Sequence, residues 1–131
     1  MRRILIFVCL FSGALIYCLL REEVIFTKLL NLFSFNVSTI QLPDNPVLDF
    51  IRYNLPDALW AIALMLTAKN FSGTLRAIAL ATPAILELLQ LTPLIKGTFD
   101  IIDLVIYLII STIFIILWKK EASSKTSLAS A

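Results

Sequence analysis

From Ile4 to Leu20 the chain carries no charged residue, and from Ile101 to Trp118 it carries one, Asp103. As helices at ~1.5 Å rise per residue, each run would extend about 26 Å, close to the ~30 Å hydrocarbon thickness of a bilayer. With 60% hydrophobic and 15% charged residues over 131 positions, the chain is too apolar for an ordinary soluble domain, and the sequence predicts a membrane protein. The net charge of +2 comes from scattered basic residues, so the clustered footprint of a nucleic-acid-binding surface is missing and no such partner is expected.

Histidine is absent, which removes the commonest metal ligand and the commonest general base. Cys9 and Cys18 fall inside the first apolar run, where they behave as small hydrophobes without the spacing of a metal site or a disulfide framework. No metal and no cofactor is implied. Any chemistry must use carboxylates, amides, hydroxyls, Lys or Arg.

Met1-Arg2-Arg3 before an apolar run resembles a secretory signal, but Tyr17-Cys18-Leu19-Leu20-Arg21 offers no small-x-small cleavage site, so an uncleaved first span over 4–20 is predicted. Cys9 and Gly13 are small residues one turn apart on one helix face, with Tyr17 a turn further on, a surface that another helix can approach closely. Val24 to Phe33 is apolar, short and interrupted by Lys28 and Asn31, which suits an interfacial helix. Ser34 to Val47 reads as a loop. Two matches to the glycosylation sequon, at Asn36 and Asn70, carry little weight because the pattern is common by chance.

A second span over 52–69 starts with Asn54 and Pro56 as helix-initiating residues and Asp57 in the first turn, facing the positive end of the helix dipole. A third, over 75–95, contains Pro83 and Pro93. The fourth, over 101–118, ends in Trp118-Lys119-Lys120, an aromatic and basic interface anchor. The predicted fold is therefore all-α, an integral membrane four-helix bundle within 1–120 with one additional interfacial helix after span one, followed by a disordered cytoplasmic tail over 121–131.

Four spans place Arg2, Arg3, Lys69, Arg76, Lys119, Lys120 and Lys125 on one side and Arg21, Lys28, Arg52 and Lys96 on the other. By the positive-inside rule both termini face the cytoplasm of a multi-pass cell-membrane protein. Asp57, Glu87, Gln90, Asp100 and Asp103 then lie toward the extracytoplasmic leaflet. Glu87, eight residues before Ile95, would sit about 12 Å from the end of its span, too deep for a short carboxylate to snorkel.

Carboxylates inside apolar segments cost at least ~2.5–3.5 kcal/mol at a helix centre and so mark a partner or a task. Glu87 and Gln90 are i, i+3 on one face, as are Asp100 and Asp103, and steps of four from Asp103 reach Tyr107 and Ser111. The stretch from Pro93 to Phe99, containing Lys96 and Gly97, is short enough to make the last two spans antiparallel neighbours. Two carboxylate-bearing faces are expected to meet there.

The pattern Glu87-Leu-Leu-Gln90, a glycine-containing turn, Asp100-Ile-Ile-Asp103 entering a last apolar helix, and an earlier Leu55-Pro56-Asp57-Ala-Leu-Trp60 resembles the VanZ-like family of small multi-span bacterial membrane proteins, over about Asn54 to Ile110. A related family of uncharacterised four-span bacterial proteins shares much of it. The resemblance implies a location in the bacterial inner membrane and an association with the cell envelope; the family's namesake is linked to reduced susceptibility to a glycopeptide antibiotic. Glu87, Gln90 and Asp103 occupy the family's polar positions. Gly97-Thr98 stand where the family often has an arginine, and Tyr107 and Ile110 replace its usual Asn and Gly.

Asp57, Glu87, Gln90, Lys96, Asp100, Asp103 and Tyr107 are the candidate binding residues for an envelope lipid, a lipid-linked cell-wall precursor or an amphiphilic antibiotic. Lys96 and Arg52 would meet an anionic headgroup, and Glu87 and Asp103 polar groups or a divalent cation. Were the chain an enzyme, Glu87 and Asp103 would be its acid/base pair, but no nucleophile motif or metal-ligand set accompanies them. Proton or cation translocation through Glu87 and the stripe Asp103, Tyr107, Ser111 is an alternative, as is a structural accessory subunit. The simplest reading of any one of these residues is interhelical polar glue, with Glu87 bonded to Gln90, Tyr107 or Ser111, worth ~0.6 kcal/mol per contact. Trp60 and Trp118 read as interface anchors.

Overall fold

The structure, a computed structural model, describes residues 1–20, 32, 40–92 and 99–129. All its elements among those residues are helices: α1 Arg2–Leu20, α2 Pro46–Tyr53, α3 Leu55–Ala68, α4 Gly73–Leu89 and α5 Ile101–Ala129. The all-α expectation holds. α1 and the segment Ile101–Ser124 of α5 are long and apolar enough to cross a membrane. The interfacial helix expected over 24–33 falls, but for Leu32, outside the described residues, as does the segment with Lys96 and Gly97.

The chain divides into two compact units, Met1–Ala63 and Leu64–Ala131. In the first, α1 buries Cys9, Gly13 and Cys18, the small-residue face legible in the sequence. What fills it is α3: a methyl group built on Gly13 would run into the indole of Trp60 and stand 3.2 Å from the Pro56 carbonyl oxygen. Tyr17, one turn on, sets its ring 5.6 Å from that of Trp60. The absence of a side chain at Gly13 lets the two helices close to this distance.

α2 begins inside the segment expected to be loop. Asn45 has extended backbone angles and its side chain accepts the Val47 N–H at 2.9 Å, while Pro46, which has no N–H to lose, opens the helix. Asn45→Ala is expected to cost this N-terminus about 1 kcal/mol, seen as faster amide exchange at Val47 with exchange in α4 unchanged.

Asn54 closes α2 by donating its N–H to the Phe50 carbonyl at 2.9 Å and opens α3 by accepting the Ala58 N–H at 3.0 Å. The single span expected over 52–69 is therefore two helices joined at a buried asparagine. Pro56 is the cause, having no N–H for the Arg52 carbonyl, so the ladder is interrupted here. Asp57 lies in the first turn of α3, as predicted.

In the second unit α4 stops at Leu89, short of the expected 95. Pro93 has no N–H for the Leu89 carbonyl and disfavours helix in the residue before it. Thr92 takes that carbonyl instead, with its N–H at 3.0 Å and its hydroxyl at 2.6 Å, and the chain closes in a tight turn over Gln90 and Leu91. Glu87 is thus in the last turn of its helix, not deep within it.

α5 packs antiparallel to α4. Asp100 meets Glu87 at 2.7 Å, Ser111 donates to the Leu80 carbonyl at 3.3 Å next to the break in the ladder made by Pro83, and Arg76 lies over Trp118. On α5 the positions withdrawn from the surface include Asp103, Tyr107, Ser111, Phe114, Trp118 and Glu121, three or four residues apart on one face. The helix runs on to Ala129, through most of the tail expected to be disordered. Residues 121–129 contain no Gly or Pro, and an established helix propagates at little cost.

Most of the side chains buried in these units are small or polar, among them Ala58, Ala61, Ala63, Ala68 and Ala79, with Asn54, Glu87 and Asp103; Met65 and Pro56 are the largest that are fully buried. Large apolar side chains face outward, among them Phe7, Ile78, Leu108, Ile113 and Ile116.

Candidate functional site at the α4–α5 turn

Glu87, Pro83 and Ala79 form the buried face of α4. Their four-residue spacing puts all three on one side of the helix, and Glu87, the last of them, points at the start of α5. Glu87 is 3% exposed, and both of its carboxylate oxygens are occupied by donors of its own chain. Oε1 accepts the Asp100 N–H at 2.7 Å and Oε2 accepts the Gln90 side-chain amide at 3.1 Å. Asp100, immediately before α5, turns its own Oδ1 to accept the Ile102 N–H at 2.8 Å. Two carboxylates therefore satisfy free N–H groups at the N-terminus of α5, where the helix dipole favours negative charge.

Asp103, in the first turn of α5, is 7% exposed. With Asp100 it lies within electrostatic reach of Glu87. Tyr107 follows one turn further along the same face, and Asp103 and Tyr107 each have an interaction of their own. Of the predicted site residues the structure brings together Glu87, Gln90 and Asp100, with Asp103 next to them. Asp57 belongs to the first unit and is engaged there or elsewhere in the fold, and Lys96 lies outside the described residues. Arg52, also in the first unit, lays its guanidinium 5.1 Å from the ring centroid of the adjacent Tyr53.

Of the partners expected for Glu87, Gln90 is observed, whereas Ser111 bonds to the Leu80 carbonyl. No group of His, Cys, Asp or Glu among the described residues could hold a metal ion.

Arg76 is the residue that sequence reasoning undervalued, counting it toward orientation alone. Its Nη2 donates to the carbonyls of Lys69 and Phe71 at 3.1 Å each, and the guanidinium sits 5.1 Å from the Trp118 ring centroid. The signal was present in outline: Arg76 lies at the start of α4 and Trp118 at the end of the apolar run of α5, so a hairpin closed at Glu87 and Asp100 brings both to its other end.

The chain matches no protein-family model, no curated protein and no solved structure.

Proposed function

We propose that the chain is a VanZ-like, multi-pass integral membrane protein whose Glu87, Gln90, Asp100 and Asp103 form an extracytoplasmic-facing polar site for the headgroup of an envelope lipid, a lipid-linked precursor or an amphiphilic antibiotic. The observation that carries it is the reversal of polarity in the α4–α5 hairpin, where Glu87 and Asp103 are buried while Ile101, Val105, Leu108, Ile109 and Ile116 are exposed. That arrangement is costly in water and favourable in lipid. A core helix of a soluble protein would be mostly covered, yet 11% of the apolar stretch is buried in each of the two long apolar helices.

Orientation follows from charge. The open end of the hairpin carries four basic residues, Lys69, Arg76, Lys119 and Lys120, against Lys96 in the segment that joins α4 to α5, which supports a cytoplasmic open end and cytoplasmic termini. Cysteines introduced at Lys96 are expected to label from outside, in a background lacking Cys9 and Cys18.

In the binding reading Glu87 positions the α5 N-terminus and Asp103 contacts the ligand. Lipid retained by the wild-type protein through purification is expected to fall at least about tenfold in Asp103→Asn, the loss that goes with a charge-assisted contact. Equal retention of the same lipid by both proteins removes the reading. The occupation of both Glu87 oxygens by the chain's own donors favours a second reading, in which the hairpin clamp is purely structural and the protein is an accessory subunit. Recovery of a lone monomer from native membranes counts against that one.

A further inference from the structure

The opposite end of the α4–α5 hairpin holds a charged cluster that the site above does not use. Lys69 after α3, Arg76 in the first turn of α4, and Trp118, Glu121 and Ala122 on α5 line a pocket of about 210 Å³. At ~30 Å³ for a water molecule in the liquid, it has room for a phosphate group.

Arg76 is held in place by the Lys69 and Phe71 carbonyls, which both accept from Nη2, and by the Trp118 ring, over which the guanidinium carbon lies. Its Nε is buried and has no hydrogen-bond partner. A buried N–H without an acceptor is unfavourable, and the rigid fork of arginine matches an oxyanion. Lys69 pairs with Glu121 at 2.6 Å, but both side chains are more than one third exposed, so the pair is weak and exchangeable. Lys119 and Lys120 follow Trp118 on the surface. The pocket itself is lined by two cations, Lys69 and Arg76, and one carboxylate, Glu121.

We propose that this pocket binds the phosphate of an anionic lipid headgroup: Arg76 donates through Nε, Lys69 leaves Glu121 to share the oxyanion, and Trp118 packs against the glycerol region. The pocket sits where the apolar stretch of α5 ends at Trp118-Lys119-Lys120, the level of the headgroups if α5 crosses a membrane. The proposal rests on that membrane reading and is independent of the Glu87 site.

The test uses the Trp60→Phe protein, in which Trp118 is the remaining tryptophan, reconstituted into nanodiscs containing equal mole fractions of brominated phosphatidylglycerol or brominated phosphatidylcholine. Phosphatidylglycerol is expected to be enriched at Trp118 by about fivefold, the factor one basic side chain contributes at an anionic surface. Arg76→Gln abolishes the preference. Glu121→Gln, which leaves Arg76 and its carbonyl contacts in place, raises it by freeing Lys69. Inorganic phosphate in the buffer leaves the preference intact; if it abolishes the preference, the site takes soluble phosphate and the lipid assignment fails. Equal quenching by the two lipids overturns the pocket and spares the membrane reading, whereas no quenching by either overturns both.

Discussion

Glu87→Leu is expected to loosen the α4–α5 hairpin by about 1–3 kcal/mol, because it strands the part-buried Asp100 N–H without its acceptor. Loss of a negative charge at the N-terminus of α5 adds about 0.3–1 kcal/mol. Glu87→Gln should be much milder. Its oxygen still accepts from Asp100, and the Gln90 amide rotates to present oxygen to the new N–H donor. The comparison is made by thermal unfolding in one detergent. If leucine and glutamine prove equally costly, the hydrogen bond to Asp100 is not what holds the turn. The ordering also separates this clamp from average polar contacts between membrane helices, which contribute ~0.6 kcal/mol whichever residue supplies them.

Gly13→Leu is expected to disrupt the first unit by about 1–3 kcal/mol through overpacking. A single Cβ at this position already conflicts with the Trp60 indole and reaches to 3.2 Å from the Pro56 carbonyl, which is backbone and cannot rotate away. Gly13→Ala should be intermediate, since the indole is a side chain and can yield at the expense of its contact with Tyr17. Shrinking the neighbour tests the cause: in a Trp60→Leu background the alanine substitution is expected to lose most of its effect, a coupling that unfolding midpoints of the four proteins measure. Additive effects would place the strain elsewhere. Trp60, expected to anchor at an interface, is on this account a packing partner of α1 as well.

Features governed by helical periodicity were legible along the chain. Cys9 and Gly13 share a face because they are one turn apart, and that face is buried; Glu87 and Gln90 are three apart and do bond. Composition likewise predicted helices throughout, as found, and four spans, of which the first and last correspond to helices long and apolar enough to cross a membrane. Boundaries set by single hydrogen bonds were missed. Asn45 and Pro46 look like loop residues until Asn45 caps a helix, and the apolar run to Ile95 hid the earlier stop that Pro93 imposes at Leu89. Hydropathy averages over many residues, whereas a helix ends where one carbonyl loses its donor.

What the amino-acid order determined by itself was local: which segments are helical, which of their faces are small or polar, and where charge interrupts hydrocarbon. That the Glu87 and Asp100 faces meet was also legible, from the short connection between them, and only the tertiary structure decided their register and the contacts at the other end. The antiparallel register that gives Glu87 to the Asp100 N–H also sets Ser111 against Leu80 and Arg76 against Trp118. That register results from packing along two helices at once, so no local window contains it. It made Glu87 a clamp for a helix terminus, and it turned Arg76, an orientation marker in the sequence, into the wall of a pocket.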